Sequence, residues 1–204
     1  DLQGFISSLY DALMAERKLL DSRISQIGIS MDFINAVGGE RFSEPMITRL
    51  PDDMYCKLSD VAVSGAKSLG DIYTDARAHI TAFENPEYAF PVGVAMDARA
   101  FMKGDYTYRK IFSLMKGECA AGADGKEAPV EGQPDMVPFT GGKAAIIMCR
   151  DSDGDIRENY RKLAGFIERE GLKVLSDVYS LSLVNMTDPS DTRRYFKYIF
   201  AAVE

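Results

Sequence analysis

The sequence predicts an α+β fold: a long N-terminal helix, then two strand–helix–strand–strand repeats related by a pseudo-twofold and forming antiparallel sheets around a central groove. Three observations predict it. Apolar residues recur at heptad spacing through the first 37 positions. The segments DIYTDARAHITAF and DIRENYRKLAGFI align with Asp71 over Asp155. The segments YRKIF and YFKYIF close two strand-rich stretches of similar layout.

In the first element Ile6, Leu13, Leu20, Ile27 and Ile34 form one heptad row. Tyr10, Ile24 and Met31 form the second row, interrupted by Arg17. Such a row is the seam of a coiled coil, and Gly38-Gly39 reads as its stop. Within this dimerisation segment, 1–38, a helix from about Leu2 to Val37 would be about 54 Å long at 1.5 Å per residue. A regular seam of this kind predicts a homodimer helix, against the alternative of a helix packed on its own domain.

The remainder, 42–204, reads as one domain. Repeat one, 44–115, holds strands at 46–50 and 54–59, a helix at 71–83 and strands at 90–102 and 106–115. Pro51-Asp52-Asp53 supplies its first turn. Repeat two, 137–204, holds a strand at 143–149, a helix at 155–170 and strands at 174–184 and 194–203. Ile72, Ala76, Ile80 and Phe83 make one helical stripe, and Ile156, Tyr160, Leu163 and Ile167 the other. Asp155 with Glu158 is a capping-box pattern, and Gly171 ends that helix. Between the repeats, 116–136 is rich in Gly, Ala, Pro and charge, has no apolar period and reads as a flexible insertion.

Composition narrows the function. The chain has 204 residues, 46% of them hydrophobic, and a net charge of −7. That is core enough for a globular domain and a poor match to nucleic acid, whose phosphates need clustered Lys and Arg. No apolar run reaches the ~20 residues of a membrane helix. Three widely spaced cysteines and no recognisable leader predict a reducing cytoplasm. A chain beginning with Asp rather than Met reads as a fragment or a processed chain.

Motif searches mostly fail. Asp151, Asp153 and Asp155 have the alternate spacing of a calcium loop, but Ile156 stands at its glycine position and Lys162 at its bidentate acid; they read as helix-opening acids. Thr140-Gly141-Gly142-Lys143 lacks the spacing of a phosphate loop. Cys56, Cys119 and Cys149 have no zinc spacing, and His79 is the sole histidine. Cys56 and Cys149 read as small core residues. His79, in the place of Leu163 of the other repeat, reads as a half-buried helix-edge residue with no nucleophile motif beside it. No metal or cofactor is expected, nor a catalytic residue. Twenty-one Tyr and Phe with ten Met suit an adaptable apolar pocket.

The stretch 137–183 resembles the second half of GyrI-like small-molecule-binding domains. It runs from a glycine-led strand through a helix with Tyr160-Arg161-Lys162-Leu163 to a strand that reads Tyr179-Ser180-Leu181-Ser182-Leu183. The stretch opening Met46-Ile47-Thr48-Arg49-Leu50-Pro51 is similar to the other half, and the leading helix resembles the dimer helix of MerR-type regulators. The resemblance implies an effector-binding domain sensing amphipathic ligands, with DNA bound only through a head not contained in this chain. It also implies a buried Glu for cations where this chain has Ser180.

Strand alternation then sorts the faces. Tyr179, Leu181 and Leu183 should meet the helix, and Ser180 and Ser182 should line the groove. Val92, Val94 and Met96 should be core, with Ala95, Asp97 and Arg99 opposite. The expected ligand site comprises Tyr55, Asp97, Tyr108, Ser180, Ser182, Phe196 and Tyr198, with Tyr108 and Phe196 as repeat equivalents. Without an acid at 180, neutral or weakly polar ligands should be preferred over permanent cations. The alternative reading is a free-standing GyrI-like hydrolase or sequestering protein.

Overall fold

The computed structural model describes residues 2–37, 43–62, 69–83, 91–116, 136–139, 141–150, 156–183 and 196–204. The element order is α1 (Leu2–Val37), β1 (Met46–Leu50), β2 (Met54–Asp60), α2 (Leu69–Thr81), β3 (Val92–Met96), α3 (Ala98–Met102), β4 (Tyr108–Lys116), β5 (Met136–Pro138), β6 (Gly142–Arg150), α4 (Ile156–Arg169), β7 (Val178–Leu183) and β8 (Phe196–Ala202). No helix among the described residues is long and apolar enough to cross a membrane.

The strands form one eight-stranded sheet in the order β1-β6-β8-β7-β3-β4-β2-β5, every pairing antiparallel. Exchanging β1 with β5, β2 with β6, β3 with β7 and β4 with β8 reverses the order without changing it, which is the pseudo-twofold the repeats predict. The expected separate sheets are instead continuous. β3 and β7 would each be an open edge of a half-sheet, and their pairing satisfies both edges at once. The leading strands are exchanged: β1 of the first half pairs with β6 of the second, and β5 of the second with β2 of the first.

The pairings fix which residues correspond. Ala95 pairs with Tyr179 at the junction, matching the alignment of Asp71 with Asp155 in the helices. Lys110 lies opposite Ala95 and Phe200 opposite Tyr179, so Lys110 corresponds to Phe200. It follows that Tyr108 and Phe196 are not equivalent. The sequence match of the closing strands is two residues out of step, and the register shift between Ala95 and Met96 separates them further. At Gly93, which pairs with both Phe112 and Leu181, an added Cβ would come within 2.5 Å of the Phe112 ring and of the Ser180 carbonyl, so the close approach at the junction requires glycine.

The sheet has a core on each face. On one, Phe112, Leu114, Ile146, Tyr179, Leu181, Tyr198 and Phe200 pack against Ile29, Phe33 and Val37 of α1. Phe33 meets Tyr198 and Phe200 edge-on or tilted, with ring centroids 5.4 and 5.1 Å away. On the other, Met96, Ile111, Ala145, Ile147, Val178, Ile199 and Ala201 pack against Leu163 and Ile167 of α4, with Ile72 of α2 and Phe101 of α3 in the same cluster. Thus Tyr179 and Leu181 do meet a helix, but it is α1.

Helix ends follow local chemistry. Gly171 takes φ +63° after α4 while Leu172 N–H donates to Ile167 O, a left-handed C-terminal stop as the sequence predicts. The strand expected at 90–102 ends at Met96, because Asp97 caps α3: its carboxylate accepts from the Ala100 N–H at 2.8 Å. β5 is a short strand at the edge of the expected insertion. The rest of that insertion, Cys119, the acids at 151–155 and the Gly38-Gly39 stop lie outside the described residues.

Candidate ligand-binding site

Ile72 and Ile156 occupy equivalent positions in the first turns of α2 and α4. Where these two turns face each other across the pseudo-twofold, a cavity of about 530 Å³ opens over the sheet. Val94 of β3 and Ile72 and Ile156 are its apolar lining. Tyr106, Thr107 and Tyr108, at the start of β4 and before it, make a second wall with Gly104 and Asp105. Tyr160, Arg157 and Arg161 project from α4. Helical periodicity explains the last set, since 157 and 161 are one turn apart on one side.

The aromatic wall is held by a ring triad. Phe101 lies edge-on to Tyr106 at 5.1 Å and to Tyr160 at 5.8 Å, and Tyr106 and Tyr160 are 5.2 Å apart. Phe101 is fully buried, so the short α3 capped by Asp97 is what positions the wall. The Tyr108 hydroxyl donates to Asp75 Oδ2 at 2.7 Å. Burial, and then this carboxylate, push the phenol above its usual range, so it stays protonated. Thr107 donates its backbone N–H to Asp105 at 3.0 Å, and hydrogen bonds from Thr107 hold that exposed carboxyl below its usual range. A three-tyrosine, two-arginine cavity with one carboxylate can enclose a flat apolar body and hold a polar group. Its size lies within the ~300–1,000 Å³ typical of small-molecule sites.

The seven residues expected at the site are dispersed. Tyr108 lines the cavity. Ser180 is buried and pairs with Val94, on the helix side of the sheet beside the cavity but outside its lining. Ser182 is half-buried further along β7. Tyr198 is buried in the α1 core and Tyr55 packs with Phe83, Met115 and Met136 at a third small cluster. Phe196 is partly exposed at the start of β8, and Asp97 is the cap of α3. The sequence missed Tyr106, Thr107, Arg157 and Arg161. The equivalence of Ile72 and Ile156 was available from the aligned helices, but a twofold relates equivalent residues without placing them on its axis; it is the fold that brings both to one cavity.

A second polar cluster is built under α2. His79 is 2% exposed; its Nδ1 is 2.7 Å from Ser59 Oγ and its Nε2 is 2.9 Å from Ser113 Oγ. Burial, and then the charge of Lys57, lower its pKa to about 4, so the ring is neutral, donating at one nitrogen and accepting at the other. Lys57 is itself buried, donating to Ala82 O at 3.2 Å and lying 4.5 Å over the Phe83 ring. Far from being a half-buried edge residue, His79 is a fully engaged core residue. Cys56 and Cys149 are buried, as their strand positions predict, and burial pushes the Cys56 thiol up to about 11. Among the described residues no group of three or more His, Cys, Asp or Glu side chains could hold a metal ion.

No family model matches the chain, and no curated protein matches it. Solved structures with a similar arrangement include an uncharacterized conserved protein from Listeria innocua, 13% identical, covering 81% of this chain and 94% of its own, with a TM-score of 0.47. A hydrolase from Listeria innocua is 10% identical, covering 83% of this chain and 96% of its own, with a TM-score of 0.44. Similarity this distant says nothing of chemistry, and hydrolysis is a property stated of that protein, not of this one.

Proposed function

We propose that this chain is the ligand-sensing and dimerising part of a transcription regulator, taking a small amphipathic or aromatic effector in the cavity between α2 and α4. The observation that carries the reading is how α1 divides its faces. Ile29, Phe33 and Val37 are buried against the sheet, whereas the heptad residues Ile6, Leu13, Leu20, Ile24, Ile27, Met31 and Ile34 are all 40–65% exposed. The helix docks on its own domain with one stripe and keeps another, longer one for something else. An apolar seam of this kind, interrupted at Arg17, fits a second copy of itself.

Charge favours an antiparallel pair. A parallel one would set Arg17 against the partner's Arg17 inside the seam and Glu16 towards the partner's Asp21. An antiparallel one sets Arg17 against the partner's Leu20 and Glu16 towards the partner's Arg23. β4 then links site to dimer. Tyr108 at one end lines the cavity, and Lys116 at the other ion-pairs with Asp32 of α1 at 2.7 Å. An effector that shifts β4 would be felt at the helix.

Sedimentation tests the dimer. The intact chain should run as a homodimer at micromolar concentration. Leu20→Ala should weaken association by about 2–5 kcal/mol, the cost of truncating a buried Leu. A monomeric intact chain would refute the reading. Removing all of α1 is not the right control, because it strips Ile29, Phe33 and Val37 from the core. The acidic chain by itself should show no salt-sensitive DNA binding in a filter assay.

A further inference from the structure

The cavity is charged in a way its ligand must match. Arg157 and Arg161 both project from the solvent-exposed side of α4 and both line it. They stand above an apolar floor of Val94, Ile72 and Ile156 and beside the Tyr106–Tyr160 wall. The carboxylates around it are already engaged: Asp105 accepts from Thr107, and Asp75 accepts the Tyr108 hydroxyl. Asp71, a turn before Asp75, also acts on Tyr108 and adds negative charge on the α2 side. A guanidinium carries five N–H donors in a planar fork, more than any single neighbour uses, and matches an oxyanion in two bonds. In a chain of net charge −7, the residues that line the cavity carry two arginines against one carboxylate, Asp105.

We infer that the ligand is an amphipathic anion, a flat apolar or aromatic body bearing one carboxylate-type oxyanion, with the body between Tyr106, Tyr160 and Val94 and the oxyanion on Arg157 and Arg161. This rests on the reading that the cavity is the ligand site. It goes beyond the preference for neutral over cationic ligands expected from Ser180, and it assigns the selectivity to α4 instead of β7.

Three probes of one shape test it: 2-naphthoate, 2-naphthalenemethanol and 2-naphthylmethylammonium, titrated by calorimetry, with the Tyr106 and Tyr160 ring signals followed by NMR. The anion should bind at least about tenfold more tightly than the cation, with an advantage that falls as salt rises. The Arg157→Gln/Arg161→Gln double variant should lose most of that gap while binding the neutral probe as before, which also shows that it folds. If the neutral probe moves the rings but the anion binds no better than the cation, or the double variant keeps the gap, the inference falls and the site reading stands. If none of the three probes moves those rings, both fall.

Discussion

Where α2 meets the first half of the sheet, its His79 lies against Ser59 and Ser113; in the second half, Leu163 of α4 with Ala145 and Val203 occupies the corresponding places. The correspondence follows from the pairings, since Ser59 faces Ile111 as Ala145 faces Ala201, and Ser113 and Val203 each lie two residues further on. The same architecture is thus closed by a hydrogen-bonded polar trio on one side and by three fully apolar residues on the other. Neither solution is partial: the imidazole uses both nitrogens, and the apolar trio leaves nothing to pair. What the difference teaches is that the fold requires satisfaction, not a particular chemistry. Mixing the two solutions is where the cost should lie.

Leu163→His should therefore be the most damaging exchange, because an imidazole would enter the apolar trio with no partner. We expect a loss of about 4 kcal/mol by urea unfolding. His79→Leu should cost about 1–3 kcal/mol, as it takes a hydrogen-bond partner from the buried Ser113 and the half-buried Ser59. The triple variant Ser59→Ala/His79→Leu/Ser113→Val, which copies the other half, should regain most of this. If the triple variant is no better than the single one, the two halves are not interchangeable solutions and the comparison fails.

Acid should distinguish the halves as well. His79 has its pKa lowered to about 4, against 6.5 ordinarily. Between these values the unfolded chain binds more protons than the folded one, so stability should fall as pH drops through 6.5 and level off near 4. The loss is at most about 3 kcal/mol at roughly 1.4 kcal/mol per unit. Comparing the wild-type and triple variant across this range isolates it, because only the wild type should show it. The smallest effect is expected at Lys57→Met. Stability should change by no more than about 1 kcal/mol, since the buried stem is replaced by one of similar shape. The His79 pKa should rise, because the cation opposing its protonation is gone, and NMR titration of the ring would read it directly.

Much of the fold was legible. Heptads, two aligned helices and alternating strands gave α1, α2, α4 and most of the sheet, because period and caps are local. α3 was hidden because Asp97 follows β3 without a break, so its capping role looked like a further strand position. The docking stripe of α1 was hidden for another reason: Ile29, Phe33 and Val37 share the helix with a longer and more regular seam. That misled the site. Alternation tells which residues share a face of β7, but not which helix covers that face, and α1 claimed the one expected to meet α2 and α4. Of the expected ligand residues only Tyr108 lines the cavity. Tyr106, Thr107, Arg157 and Arg161 belong to a turn and to a helix face that ordinarily read as solvated surface.

The exchanged leading strands have a consequence for how the chain is made. While the first half emerges from the ribosome, β1 has no partner: Met46 must wait for Ile146 and Leu50 for Gly142. β2 keeps an open edge until Met136 arrives. Neither half can therefore finish as a stable unit on its own, and the closing contacts are among the longest in sequence. Such topologies fold slowly and expose unpaired strand edges while they do. Each half clasps the other, so the first strand is paired only once β6 of the second half has been made, and the molecule should fold and unfold as one cooperative body.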